Sequence, residues 1–138
     1  MIEDLISDLK ADEGWRPFAY EDHLGYTTIG YGFLIDEKKG GRLPLEVGEF
    51  WLERKVHQYW NAFVDKHDWV LDQPEDVQRA LGNMVYQMGV EGVSKFKKML
   101  KALKEGDREG AAAHALDSRW AQQTPRRVER VAAKIRGF

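Results

Sequence analysis

The chain has 138 residues, 43% of them hydrophobic, with six Phe, five Trp, five Tyr, no cysteine and a formal net charge of −2. This suits one compact domain, expected to form two lobes; it excludes disulfides and thiolate chemistry, and no run approaches the roughly 18 apolar residues of a membrane span. The charge is uneven: residues 1–93 hold nine Lys/Arg against eighteen Asp/Glu, residues 94–138 twelve against five, so the last third suits a polyanionic partner (nucleic acid, membrane surface, anionic wall) or a solvated helix pair.

Ile2, Leu5, Ile6 and Leu9 recur at helical spacing, which predicts an amphipathic helix over residues 2–12, with Gly14 as its C′ residue and Pro17 preventing continuation. Met1 to Leu5 show no basic or apolar leader, so a reducing cytosol is the expected compartment of synthesis. Phe18 to Tyr20, Tyr26 to Ile29 and Tyr31 to Ile35 are short, aromatic and β-branched, and predict a small antiparallel sheet. Asp36 to Gly41 reads as an exposed loop.

From Pro44 the pattern becomes helical. Leu52, Val56, Tyr59 and Phe63 predict a long helix over about residues 45–66, suited to bridging two lobes. Asp72 or Gln73 is a helix start, and the apolar stripe from Val77 to Met88 ends at Gly89. Further helices are expected from Val93-Ser94 to Leu103, from the Asp107 cap through Leu116, and from Thr124-Pro125 onward. The expected class is α+β and mostly helical: a sheet lobe over 1–43, a linker helix over 44–67 and a helical lobe over 68–138.

Three residues carry potential chemistry. Glu13 falls at the C-terminal end of the first helix, where the negative pole of the helix dipole, and any burial, disfavour the charged form and suit a general acid. An ordinary surface glutamate reads the same way. Asp22 lies in a turn before Gly25, where it either forms an Asx-turn or stays ionised as a base that orients a water. On a strand, Tyr26 and Thr28 share one face; the Thr28 hydroxyl is either placed to hold that water or is a routine β-branched strand residue. One acid that keeps its proton and one that loses it are what glycosidic hydrolysis needs. Gly30 and Gly32 permit close approach, but no phosphate-loop pattern follows them. His23, His57, His67 and His114 have no ligand spacing, so neither metal nor cofactor is expected.

Asp12-Glu13-Gly14, Tyr20-Glu21-Asp22, the run Gly25 to Gly32, Asn83 to Gly89, Ser118-Arg119-Trp120 and Gln123 to Arg127 occur in this order. Together they resemble the phage-type lysozymes (endolysins) of glycoside hydrolase family 24, of the T-even phage kind, over about residues 2–135. The resemblance implies cleavage of the β-1,4 bond between N-acetylmuramic acid and N-acetylglucosamine in peptidoglycan, with inversion. It makes Glu13 the general acid, Asp22 the carboxylate behind the attacking water, Thr28 the hydroxyl that positions it and Arg127 the arginine that orients the acid. Gly32, Leu34, Gln87 and Phe96 become candidate substrate contacts, with Trp120 expected to pack beneath them. Phe33 stands where well-known members carry a His, and the chain is shorter and more acidic than many.

The implied partner is the peptidoglycan glycan strand, with no nucleic acid, no stable membrane insertion and a monomeric state expected. The implied setting is a phage product made in the host bacterial cytoplasm, reaching the wall after another protein permeabilises the membrane. Competing readings are a wall-binding module without catalysis, a lytic transglycosylase, and a nucleic-acid binder using the basic helices; the last is short of stacking aromatics, with Phe96 and Trp120 alone before the final residue.

Overall fold

The computed structural model describes all 138 residues. The chain forms two compact units, Met1–Leu52 and Glu53–Phe138. Seven helices and one three-stranded antiparallel sheet make up the α+β architecture.

The first unit opens with α1 (Ile2–Glu13), whose last turn closes where the Gly14 N–H donates to the Lys10 carbonyl at 3.1 Å. Gly14 then takes φ +71° and ψ 157°, conformations that glycine adopts without a Cβ clash and that swing the chain into the sheet. The expected apolar stripe of α1 is present, but no residue of the helix is buried. The sheet has the order β1-β2-β3, with β1 spanning Arg16–Glu21, β2 Thr27–Gly30 and β3 Phe33–Leu34. Its register pairs Tyr20 with Thr28 and Thr28 with Leu34. Between Arg16 and Tyr20 the β1–β2 register slips. Pro17 sits there, and a residue without an N–H is accommodated on an edge strand at such an irregularity. The third strand is shorter than the expected Tyr31–Ile35 because Tyr31 and Gly32 form the turn into it.

The segment 36–41 is not the wholly exposed loop expected from its charged residues: Asp36 is 6% exposed. Its carboxylate accepts from Arg42 Nε at 2.9 Å and Nη2 at 3.1 Å, and from the backbone N–H groups of Lys38 and Arg42. These donors offset the desolvation of the charge. Helix α2 (Leu45–Lys66) follows, with the Pro44 carbonyl accepting from the Val47 and Gly48 N–H groups at its start, each at 3.1 Å. The division between the two units falls inside α2.

The second unit contains a one-turn 3₁₀ segment (Asp68–Asp72), α3 (Glu75–Ser94), α4 (Lys97–Lys104), α5 (Arg108–Leu116), α6 (Arg119–Gln123) and α7 (Pro125–Arg136). Phe63, Leu81, Met84, Met99, Leu103 and Ile135 are fully buried in its core. Leu81 and Met84 on α3, and Met99 and Leu103 on α4, fall at helical spacing because one face of each amphipathic helix meets its neighbours. Gly89, at φ +77° and ψ 171°, breaks α3 where the apolar stripe ends, but the chain resumes a helical turn through Ser94. The next helix therefore starts at Lys97 and not at Val93-Ser94. Asp107 caps α5 by accepting from the Gly110 N–H at 2.9 Å, and Pro125 opens α7. No helix is long and apolar enough to cross a membrane.

Candidate active site

The acid candidate is set by two glycines. Glu13 ends α1, and Gly14 turns the chain away behind it. Its side chain lies over Gly32, in the β2–β3 turn: a Cβ added to Gly32 would stand 2.9 Å from Glu13 Cδ and 3.5 Å from Cγ, and closer still to Oε2. Gly32 also has φ +68°, in the left-handed region. A side chain there would be strained and would displace the carboxyl group. The structure thus brings Glu13 and Gly32 into contact. Glu13 is exposed, so the burial expected to assist its role as an acid is not found, because no side chain of α1 is buried.

Asp22 is built into the β1–β2 turn. Its Oδ1 accepts from the backbone N–H groups of Leu24 and Tyr26, each at 2.9 Å. Its own N–H donates to the Tyr26 carbonyl and its carbonyl accepts from the Gly25 N–H, again at 2.9 Å each. The sequence gives this turn an Asx former and a glycine at φ +86°. The Tyr26 N–H holds the Asp22 carboxyl below its ordinary range; partial burial opposes this, and the Leu24 N–H, His23 and the Gly25 N–H add to the lowering. Asp22 is therefore ionised at neutral pH.

Thr28 is 5% exposed, in the middle strand of the sheet. Its Oγ1 donates to the Tyr26 carbonyl at 3.1 Å, which leaves oxygen lone pairs to accept another bond. Asp22 and Thr28 thus converge on one residue: the Tyr26 N–H serves the carboxylate, and its carbonyl serves the Thr28 hydroxyl and the Asp22 N–H. Leu34, paired directly with Thr28, shares its face of the sheet and is half exposed.

In the second unit, Asn83 and Gln87 stand one turn apart on α3 and so project from one face. Gln87 Oε1 accepts from Trp120 Nε1 at 2.9 Å, which fixes its amide orientation. Trp120 is 6% exposed, and Phe96 meets it edge-on with centroids 6.0 Å apart. The guanidinium of Arg127 donates to Asn83 through Nε, 2.8 Å from the side-chain oxygen, and through Nη2, 3.3 Å from the carbonyl. Gln87, Phe96 and Trp120 therefore form one connected group, and Arg127 joins the same face of α3 through Asn83. Asn83 was not singled out from the sequence as a site residue, although its spacing to Gln87 was a signal that could have found it. The four histidines form no cluster with other potential metal ligands.

The family model for phage lysozyme matches residues 10–134. The chain is 31% identical to a probable T4-type lysozyme 2 of Dictyostelium discoideum, over 95% of this chain and 92% of that protein. It is 29% identical to a probable T4-type lysozyme 1 of the same organism, over 98% of this chain and 95% of that one. It is also 34% identical to the pre-baseplate central spike protein Gp5 of Enterobacteria phage T4, over 89% of this chain but only 26% of the spike protein, so the chain spans about a quarter of that relative's length.

Proposed function

Because the chain belongs to the phage lysozyme family and so carries a lysozyme-type peptidoglycan hydrolase domain, we propose that it cleaves the β-1,4 bond between N-acetylmuramic acid and N-acetylglucosamine by an inverting, two-carboxylate reaction. Glu13, protonated, gives its proton to the glycosidic oxygen as the bond to the anomeric carbon breaks. Water attacks that carbon from the opposite face and yields its proton to ionised Asp22. The Thr28 hydroxyl, whose hydrogen is directed to the Tyr26 carbonyl, accepts a hydrogen bond from that water and holds it for attack. Gly32 and Leu34 in the first unit, and Gln87 and Phe96 in the second, are the proposed sugar contacts. Arg127, held by Asn83, is the proposed orienting group for the acid.

The observation that carries this reading is the shared use of Tyr26 by Asp22 and Thr28. A hydrogen-bonded, ionised carboxylate and a hydroxyl with a free lone pair, fixed by one residue, are what orienting a water requires. The proposed partner is the glycan strand, engaged by a monomer. The proposed setting is host lysis, with the enzyme made in the bacterial cytoplasm and reaching the wall once another protein has opened the membrane.

Mass spectrometry of digested peptidoglycan tests the chemistry. Reducing ends on muramic acid support hydrolysis at the proposed bond, whereas anhydromuramic ends would identify a lytic transglycosylase. Proton NMR of the first product anomer tests the stereochemistry: the α anomer is expected, and an initial β anomer would mean retention.

A further inference from the structure

Asp36 and Thr28 are the two buried polar or charged residues of the molecule. Asp36 takes hydrogen bonds from four N–H groups, three of them from Arg42, and so ties residues 36–42 into a closed loop. That loop rests on the hairpin formed by β1 and β2. The Ile35 N–H donates to the Thr27 carbonyl at 3.0 Å just before it begins. Gly41, at φ +69°, lies so near β2 that an added Cβ would stand 3.3 Å from Thr27 Oγ1. Lys39 crosses the turn: a Cβ added to Gly25 would stand 3.4 Å from its Cε and Nζ, and its ammonium lies 5.8 Å from the centroid of the Tyr26 ring. Gly25 and Tyr26 are the residues that close the turn on Asp22, and Thr27 adjoins Thr28.

We propose that the Asp36–Arg42 ion pair is a positioning clamp for the β1–β2 hairpin, holding loop 36–42 so that Lys39 braces the Asp22 turn and Gly41 braces the strand bearing Thr28. Its catalytic meaning rests on the reading of Asp22 and Thr28 given above. Asp36 and Arg42 touch no reacting atom and act through Tyr26 and Thr27. The Arg42 side chain is 68% exposed, so the pair ties down a surface loop and is not part of an apolar core. A brace of this kind affects the orientation of the attacking water more than the affinity for glycan, so its loss shows in kcat before KM.

The test combines amide hydrogen exchange with kinetics on the full chain. In Arg42→Met, exchange at the Leu24 and Tyr26 amides, the two donors to the Asp22 carboxylate, is expected to rise about tenfold while the Leu81 and Val85 amides of the second unit keep their protection. Turnover should fall about tenfold with KM within about twofold of wild type, and Arg42→Lys should restore part of both losses. Lys39→Met leaves the clamp intact and removes one brace; it should raise exchange at the same two amides by a smaller factor, and it carries the test if Arg42→Met does not fold. Unchanged exchange at Leu24 and Tyr26 overturns the proposal, as does raised exchange with unchanged kcat. Failure of the wild type to cleave glycan would instead retire the functional reading, and the exchange comparison, which needs no substrate, would still decide whether the clamp braces the hairpin.

Discussion

Every buried hydrophobic side chain, from Phe63 to Ile135, belongs to the second unit, whereas the buried side chains of the first are the polar Thr28 and Asp36. The second unit is held by apolar area, a non-directional force that tolerates small displacements. The first is held by turns, a short sheet and charge-assisted hydrogen bonds, each worth only about 1–3 kcal/mol but each directional. The unit that carries Glu13, Asp22 and Thr28 is thus the one whose geometry is specified by hydrogen bonds. Substitutions in its hydrogen-bonded turns should act on turnover, and substitutions in the buried apolar core of the helical unit on stability.

The largest expected effect is on chemistry. Glu13→Gln keeps the shape of the side chain over Gly32 and removes the proton donor, so activity should fall by about 10²–10⁴-fold, measured as clearing of a wall suspension. The opposite case is Leu81→Ala in the second unit, a fully buried side chain. It should lower stability by about 2–5 kcal/mol in denaturant titration and leave the kcat of the folded fraction near wild type.

A pair of glycines sharpens the contrast. Gly32 and Gly89 have φ of +68° and +77°, so alanine is strained at either, by about 1–3 kcal/mol. At Gly89 an added Cβ meets nothing within 4 Å, whereas at Gly32 it meets the Glu13 carboxyl. Both variants should melt earlier, and only Gly32→Ala should also lose kcat, by about tenfold or more. If the two lose activity equally, the contact with Glu13 has no role.

The smallest expected effect concerns pH. The Arg42 guanidinium and the Lys38 N–H hold the Asp36 carboxyl well below the usual carboxylate range. The folded form therefore binds this proton less readily than the unfolded chain, and the clamp's contribution is complete above the unfolded value of about 4 and lost as pH falls below it. Exchange at Leu24 and Tyr26, corrected for its intrinsic pH dependence, should be flat from neutral pH to about 5 and rise only in stronger acid. In Asp36→Asn that acid-induced rise should be diminished.

Much of this was legible in the sequence where a residue acts alone. The stripe beginning at Leu52 gave α2, Asp107 announced its cap, Pro125 opened α7, and Gly89 marked the break in α3. The 3₁₀ turn Asp68–Asp72 and the five-residue α6 left no periodic signal, because neither is long enough to display a period, and the Ser118 cap of α6 stands without a stripe behind it. In the site, Glu13 and Asp22 stood out by their places at a helix end and in a turn. The contact of Glu13 with Gly32 did not, since it joins positions on either side of a hairpin. The burial of Asp36 was hidden for a similar reason: an acid followed by Glu37, Lys38 and Lys39 reads as a solvated run until Arg42 folds back onto it.

The most direct test of the division between the units is Glu13→Gln assayed twice on one preparation, by thermal melting and by wall clearing. The account predicts a melting curve that overlies the wild type, together with a loss of clearing of about a hundredfold or more. Clearing at the wild-type rate by a folded Glu13→Gln protein would contradict it.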